Sequence, residues 1–298
     1  MGIRPSARSF IVTAALSLSP EPEPHHLALG AVALTSADPD RLVPFYRDAV
    51  GLDVLATGDT TVLGAGGRPL VEIVRRSQAR PAPHRAPGLF HMAIRVPDRA
   101  SLAARLLALH HTGLRLGASD HLVSEALYVD DPDGNGIEIY HDRPEAEWPR
   151  SADGSIAMAT LPLDLAALAR EAPAVLGKAP AGTDMGHVHL KVSDLEAARR
   201  FWVDTVGLKI MARYPGALFV SADGYHHHLG LNTWQSSGAP APAAGSAGLD
   251  HFTVRLPAAA VAGLARRLAA ADVAFTPLAD GGLEVADPSG NTAVVLPA

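Results

Sequence analysis

The sequence predicts an α+β fold of four tandem βαβββ modules, whose curved mixed sheets form cup-like half-barrels. Three observations predict it. "VPFYRDAVGL" (43–52) recurs without a gap as "RRFWVDTVGL" (199–208). "GLFHMAIRVP" (88–97) recurs as "GLDHFTVRLP" (248–257), and "DPDGNGIEIY" (131–140) as "DPSGNTAVVL" (287–296). Self-similarity in this order marks a duplication, residues 28–141 against 185–298, with a Pro- and Ala-rich connector over 142–184. The third observation is that hydrophobic periodicity divides each copy again, into strand, helix and strands taken twice.

In the first copy, residues 29–35 alternate as a strand, and 39–50 repeat at helical spacing up to Gly51. Short apolar strands follow to Val74. Residues 89–96 read as a strand, 98–110 as a helix, and 122–129 and 136–140 as strands, with the "DPDGN" turn between them. "PLDLAALAREA" in the connector reads as helical. Each helix covers one face of a curved sheet, which leaves the other face free to line a cavity.

Composition narrows the chemistry. The chain has 298 residues, 48% hydrophobic and 19% charged, enough for two ordinary cores. A formal charge of -6 argues against nucleic-acid binding, which needs a basic patch. The chain has no cysteine, so disulfides, iron–sulfur clusters and thiolate zinc sites are excluded. A metal would be held by His and carboxylate, a donor set that suits Fe(II), Mn(II), Ni(II) or Zn(II). Residues 1–27 carry Arg4, Arg8, an apolar run Phe10–Leu18 and "SPEPEP", and read as a tail rather than a signal peptide. There is no apolar run of about 18 residues, so the expected protein is cytoplasmic, with no membrane partner.

The stretches "GLFHMAIRVP", "GASDHLVSEALYVDDPDGNGIEIYHDRP", "MGHVHLKVSDL", "GALFVSADGYHHHLGLNTW" and "GSAGLDHFTVRLP" resemble the vicinal oxygen chelate superfamily. That group includes glyoxalase I, bleomycin resistance proteins and extradiol dioxygenases, and the closer match is to two-domain catechol 2,3-dioxygenase-like proteins. The resemblance covers nearly all of the chain beyond residue 28. It implies that metal ligands come from the first and last strands of paired modules. Those positions are Ala31 and Glu72, His91 and Glu138, His187 and Gly230, and His251 and Val294. Pairing within each copy gives no 2-His-1-carboxylate triad. Pairing module two with module three gives His91, Glu138 and His187, with Gly230 at the fourth position. The expected metal site therefore lies between the two copies, with Fe(II) as the first expectation. Modules one and four look degenerate, and His251 reads as a half-buried polar residue.

Two further readings concern the surroundings of the metal. Alternation puts His187, His189 and Lys191 on one face of their strand. The same rule groups His226, His228, Gly230 and Asn232, and turns His227 outward. "DHLVSEALY" resembles the extradiol stretch whose His assists proton transfer, which implies an acid–base role for His121, with Tyr128 and Tyr140 beside it. Two residues are missing between that stretch and "DPDG", a departure from the family pattern. His121, Tyr128 and His228 are thus the catalytic candidates, and His189, His226, Asn232 and Tyr140 the pocket candidates.

The resemblance implies extradiol cleavage of a catechol-like aromatic diol by O2, in a monomer or a homodimer. One alternative is a glyoxalase I-like lyase or isomerase, which expects four protein ligands. His228 is the available fourth. The other is a drug-sequestering protein of the bleomycin-resistance type. A His-rich cup weighs against that, as does an aromatic content of 5%.

Overall fold

The computed structural model describes residues 27–151 and 155–298. All of the predicted tail except Leu27 lies outside the described residues. Module one comprises β1 (Ala28–Ser36), α1 (Pro39–Pro44), β2 (Asp53–Ala56), β3 (Thr60–Ala65) and β4 (Arg68–Arg75). Module two comprises β5 (Gly88–Arg95), α2 (Arg99–His111), β6 (Gly117–Asp120), β7 (Ser124–Asp130) and β8 (Gly136–Asp142). Among its described residues the connector forms a short 3-10 turn at Glu145–Glu147 and a short α-helix, α3 (Leu165–Ala169), started by the Asp164 carboxylate accepting from the Ala167 N–H at 2.9 Å. Module three comprises β9 (Asp184–Lys191), α4 (Leu195–Arg199), β10 (Lys209–Tyr214), β11 (Ala217–Ser221) and β12 (Leu229–Asn232). Module four comprises β13 (Gly248–Leu256), α5 (Ala258–Ala270), β14 (Phe275–Pro277), β15 (Leu283–Ala286) and β16 (Thr292–Pro297).

The helix predicted over 39–50 forms, but its second half widens to a π-helical turn at Phe45–Val50. The second copy repeats this at Arg200–Thr205. Pro44 is not the cause, because Arg200 stands at the equivalent place. Both widened turns bury two successive aromatic rings, Phe45 with Tyr46 and Phe201 with Trp202, each pair edge to face.

The strands form two eight-stranded sheets that cut across the sequence duplication. One runs β10-β11-β12-β9-β5-β8-β7-β6 and the other β14-β15-β16-β13-β1-β4-β3-β2. Modules two and three therefore share one sheet, and modules one and four the other. In the sheet of modules two and three, called the inner sheet after its place in the chain (the other being the outer), the seam is the antiparallel pair β5 and β9, where Ala93 stands opposite His187 and His91 opposite His189. On β9 and just after it, Val188, Leu190 and Val192 join the hydrophobic core while His187 and His189 take the other face, and all five are buried.

The DPxGN turns explain themselves as anchors. Asp131 Oδ1 accepts from the N–H groups of Asp133 and Asn135, both at 2.9 Å, closing the turn before β8. Its Oδ2 accepts from the Tyr46 hydroxyl at 2.9 Å, across 85 positions of sequence. The widened turn of module one thus pins the start of β8, the strand that carries Glu138. In the second copy Asp287 closes its turn through Ser289 and Asn291 in the same way.

Candidate metal centre

Three strands of the inner sheet bring three donors to one point. His91 rises from β5, Glu138 from the neighbouring parallel strand β8, and His187 from β9 on the other side of β5. The Nε2 atoms of His91 and His187 each lie 3.1 Å from Glu138 Oε2. The three ligand atoms all fall within 4.8 Å of one another, and all three side chains are buried. Neighbouring ligands about 2.1 Å from a common ion stand roughly 3 Å apart, so this spacing suits a cation.

The electrostatics also favour a cation. Burial by itself would raise the Glu138 pKa, but His187 and His91 more than offset it and hold the carboxylate well below its usual range. Burial drives His187 down to about 4, so its imidazole is neutral with a lone pair to give. In the protein alone, His187 Nε2–H donates to Glu138, while His91 Nε2 is buried 3.1 Å from the same oxygen but outside hydrogen-bonding geometry with it. A buried polar nitrogen left over in this way costs about 1–3 kcal/mol, and an ion shared by the three groups removes that cost. The residues present fit a divalent metal.

The other sequence-predicted residues fall into three groups. His121, just after β6, receives the Tyr128 hydroxyl on Nε2 at 2.7 Å. Its Nδ1–H donates to the Ala159 carbonyl at 2.7 Å, which fixes that tautomer. Tyr128 lies beside Glu138, and burial with that carboxylate pushes its phenol well above the ordinary range. His121 and Tyr128 therefore form a hydrogen-bonded pair against the triad.

The second group flanks His187. Tyr140 packs its ring 5.0 Å from His187 and bonds the Tyr225 hydroxyl at 2.6 Å. Tyr225 donates to Asp142 at 2.8 Å, and His226 Nε2 donates to the same carboxylate at 2.9 Å. A hydrogen bond of 2.8 Å joins the Nδ1 atoms of His226 and His227. The outward placement expected for His227 is corrected here: it is buried and its ring lies tilted against His187, with centroids 4.1 Å apart. Residues 226–228 precede β12 and are not strand, so a period of two does not apply to them. His228, the other candidate of this run, is held by its own neighbours. Its Nδ1 lies 2.9 Å from Ser221 Oγ and its ring packs on Tyr225.

The third group is the wall around His189. Asn232 Nδ2 donates to His189 Nε2 at 3.0 Å and is itself fully buried, so it orients the imidazole. Phe90 and Trp234 contact the same ring at 5.0 and 5.6 Å between centroids. Gly230, read from sequence as an open coordination position, has a second reason to be glycine: a Cβ there would stand 2.7 Å from the His189 ring. Gly186 is tighter still, since a Cβ would overlap the Tyr140 hydroxyl. Gly186→Ala is expected to lower stability by about 1–3 kcal/mol, the usual cost of overpacking, read as a fall in the thermal midpoint. In the outer sheet, His251 Nδ1 meets Asp250 at 3.0 Å and is half-buried, as expected for a polar residue with a local partner. Sequence reasoning missed Tyr225 and Asp142; nothing in the pattern joins residues 83 positions apart.

Residues 25–139 and 184–295 both match the family described as the glyoxalase/bleomycin resistance protein/dioxygenase superfamily. The chain belongs to this superfamily. Within the superfamily, a catechol-2,3-dioxygenase of Bacillus subtilis (strain 168) is 42% identical over 235 residues, spanning 77% of this chain and 82% of that protein. Among solved structures, glyoxalase I from Zea mays superposes with a TM-score of 0.56 at 15% identity, covering 92% of this chain and 93% of that one. The cppA protein from Streptococcus pneumoniae TIGR4 gives 0.58 at 10% identity, with coverages of 92% and 100%. At such identities these two establish the superfamily fold alone. No helix among the described residues is long and apolar enough to cross a membrane.

Proposed function

We propose that this protein is a metal-dependent extradiol dioxygenase that opens the ring of a catechol-like aromatic diol with O2. The observation that carries the reading is the convergence of His91, Glu138 and His187 across the seam of the inner sheet, with both Nε2 atoms 3.1 Å from one carboxylate oxygen. Its 42% identity to a catechol-2,3-dioxygenase supports the reaction class. These three residues would hold the metal, with Fe(II) the first expectation and Mn(II), Ni(II) or Zn(II) compatible with the same donors. When bound, such a metal supplies Lewis acidity and open coordination positions for a diol and O2.

The remaining residues divide the proton work and the shaping of the site. Tyr128 holds its proton toward His121 Nε2, so the pair can take up a substrate hydroxyl proton and return it later. His227 sits against His187 and is tethered through His226 to Asp142, which makes it the imidazole placed to face substrate on that side. In this reading it takes the role the sequence suggested for His228. Tyr140 and Asn232 position the rings of His187 and His189, and Phe90 and Trp234 keep the wall apolar. The glyoxalase-like alternative needs a fourth ligand. Position 230 is glycine and His228 is engaged with Ser221, so the geometry favours the three-ligand reading.

The test is metal analysis of anaerobically purified protein together with O2 uptake on catechol. One equivalent of metal per chain, and O2 consumption coupled to a ring-opened product, are expected. Protein that lacks stoichiometric metal after anaerobic reconstitution, or that holds it without consuming O2 on any catechol, refutes the reading.

A further inference from the structure

The connector precedes β9 as the N-terminal segment precedes β1, and β1 and β9 are counterparts in the duplication. In the first copy the connector acts as a cover. Its helix α3 packs on α2 and buries Leu168 completely. Residues 177–179 then run past the end of the widened turn. The Gly177 carbonyl accepts from Arg105 of α2, and the Ala179 N–H donates to the Gly51 carbonyl at 2.9 Å. Lys178 pairs with Asp53 at 2.5 Å.

The same place in the second copy is open among the described residues. Gly207, Leu208 and Lys209 stand where Gly51, Leu52 and Asp53 do, and α5 stands where α2 does. Here lies an apolar cavity of about 390 Å³, walled by Trp202, Val206, Leu208, Met211, Leu229 and Leu264. Close-packed interiors leave few voids larger than a water, and an apolar void of about 150 Å³ already admits benzene. Leu27, where the described chain begins, lines this cavity, and its N–H donates to Asp223 Oδ2 at 3.2 Å. The preceding residues therefore depart from the cavity wall.

Those residues carry what the place lacks. Helix α3 stands 15 to 19 positions before the start of β9, and Phe10, Ile11 and Val12 stand 16 to 18 before the start of β1. The three belong to the apolar run Phe10–Leu18. The charges match as well. At the 156-residue offset of the duplication Pro22 takes the place of Lys178, between Glu21 and Glu23, while Lys209 takes the place of Asp53. The signs of the first copy's ion pair are exchanged. Residues 19–26 reach up to about 26 Å when extended, ample to lay the run against a cavity that Leu27 itself lines.

We infer that residues 10–23 cover the second copy as the connector covers the first. The Phe10–Leu18 run docks against α5 and fills the cavity, and the Glu21–Glu23 stretch lies along Lys209. One wall of the cavity, at Ala222, Asp223 and Gly224, leads directly into Tyr225–His228. The docked segment thus backs the loop that sets His227 against His187.

Photocrosslinking of the full chain tests it, with Phe10→p-benzoylphenylalanine as the probe. Irradiation is expected to join residue 10 to the cavity wall or to α5 of the same chain, read by mass spectrometry of the digest. A crosslink between two chains, or none to residues 202–211, 222–229 or 258–270, overturns the inference. Full-length Ile11→Asp supplies a second measurement. Its thermal midpoint is expected to fall by about 2–4 °C, and toluene to raise that midpoint more than the parent's, because the cavity then stands open. Ser6→Asp, outside the run, is expected to leave both unchanged. An Ile11→Asp midpoint equal to the parent's, or equal stabilisation of the two proteins by toluene, overturns the inference.

Discussion

Glu138→Gln is expected to purify with little metal and to lose at least about 10²-fold in O2 uptake on catechol. Disturbing groups that merely support metal ligands already costs about 10–100-fold in affinity or activity, and Glu138 is the only carboxylate of the triad. The substitution keeps the volume of the side chain but removes the charge that both imidazoles face at 3.1 Å. It therefore separates loss of the charge from loss of packing. Metal analysis after reconstitution, with a thermal scan of the same preparation, reads the two apart. A variant that retains one equivalent of metal and near-parent turnover removes Glu138 from the site.

The second large effect is acid sensitivity of the metal-free protein. Burial lowers His187 to about 4 and His228 to about 3, and holds His189 and His227 well below the ordinary imidazole range. In the unfolded chain each titrates near 6.5. Between the two values the unfolded chain binds a proton that the folded one refuses. Stability from these groups is thus complete above about 6.5 and is lost as pH falls toward about 4. Glu138, also depressed, acts in the same direction at lower pH. Each group contributes up to about 1.4 kcal/mol per pH unit, and several together approach the whole stability of an ordinary domain. The thermal midpoint of metal-free protein is expected to fall steeply between about pH 7 and about pH 5, with metal-loaded protein holding out to lower pH. Equal midpoints at both pH values would show that these imidazoles are not buried in solution.

The acid prediction also marks where the sequence stops being informative. Three adjacent histidines at 226–228 read as a strand segment, and strand alternation sends the middle one outward. The chain instead enters β12 one residue later, and the loop turns His227 onto His187. Alternation alone does not distinguish those outcomes, because the partners of His226 and His227 lie on distant strands, Asp142 for the first and the ring of His187 for the second, while His228 folds back onto Ser221 of the preceding strand. Gly230 is similar. The repeat alignment locates it, but the approach of the His189 ring that requires glycine is a fact of packing.

The sequence by itself determined the duplicated module, the helices and turns that close each copy, and the absence of thiolate chemistry. These follow from periodicity, turn residues and composition, which act over a few residues at a time. It also supplied His91, Glu138 and His187 as candidate ligands, through resemblance and pairing logic. The tertiary structure decided that modules two and three share a sheet, because the pairing of β5 with β9 brings residues 91 and 187 onto neighbouring strands. It also decided which imidazoles are buried, and so which remain neutral. Burial and convergence depend on strands far apart in the chain, and no local pattern records them.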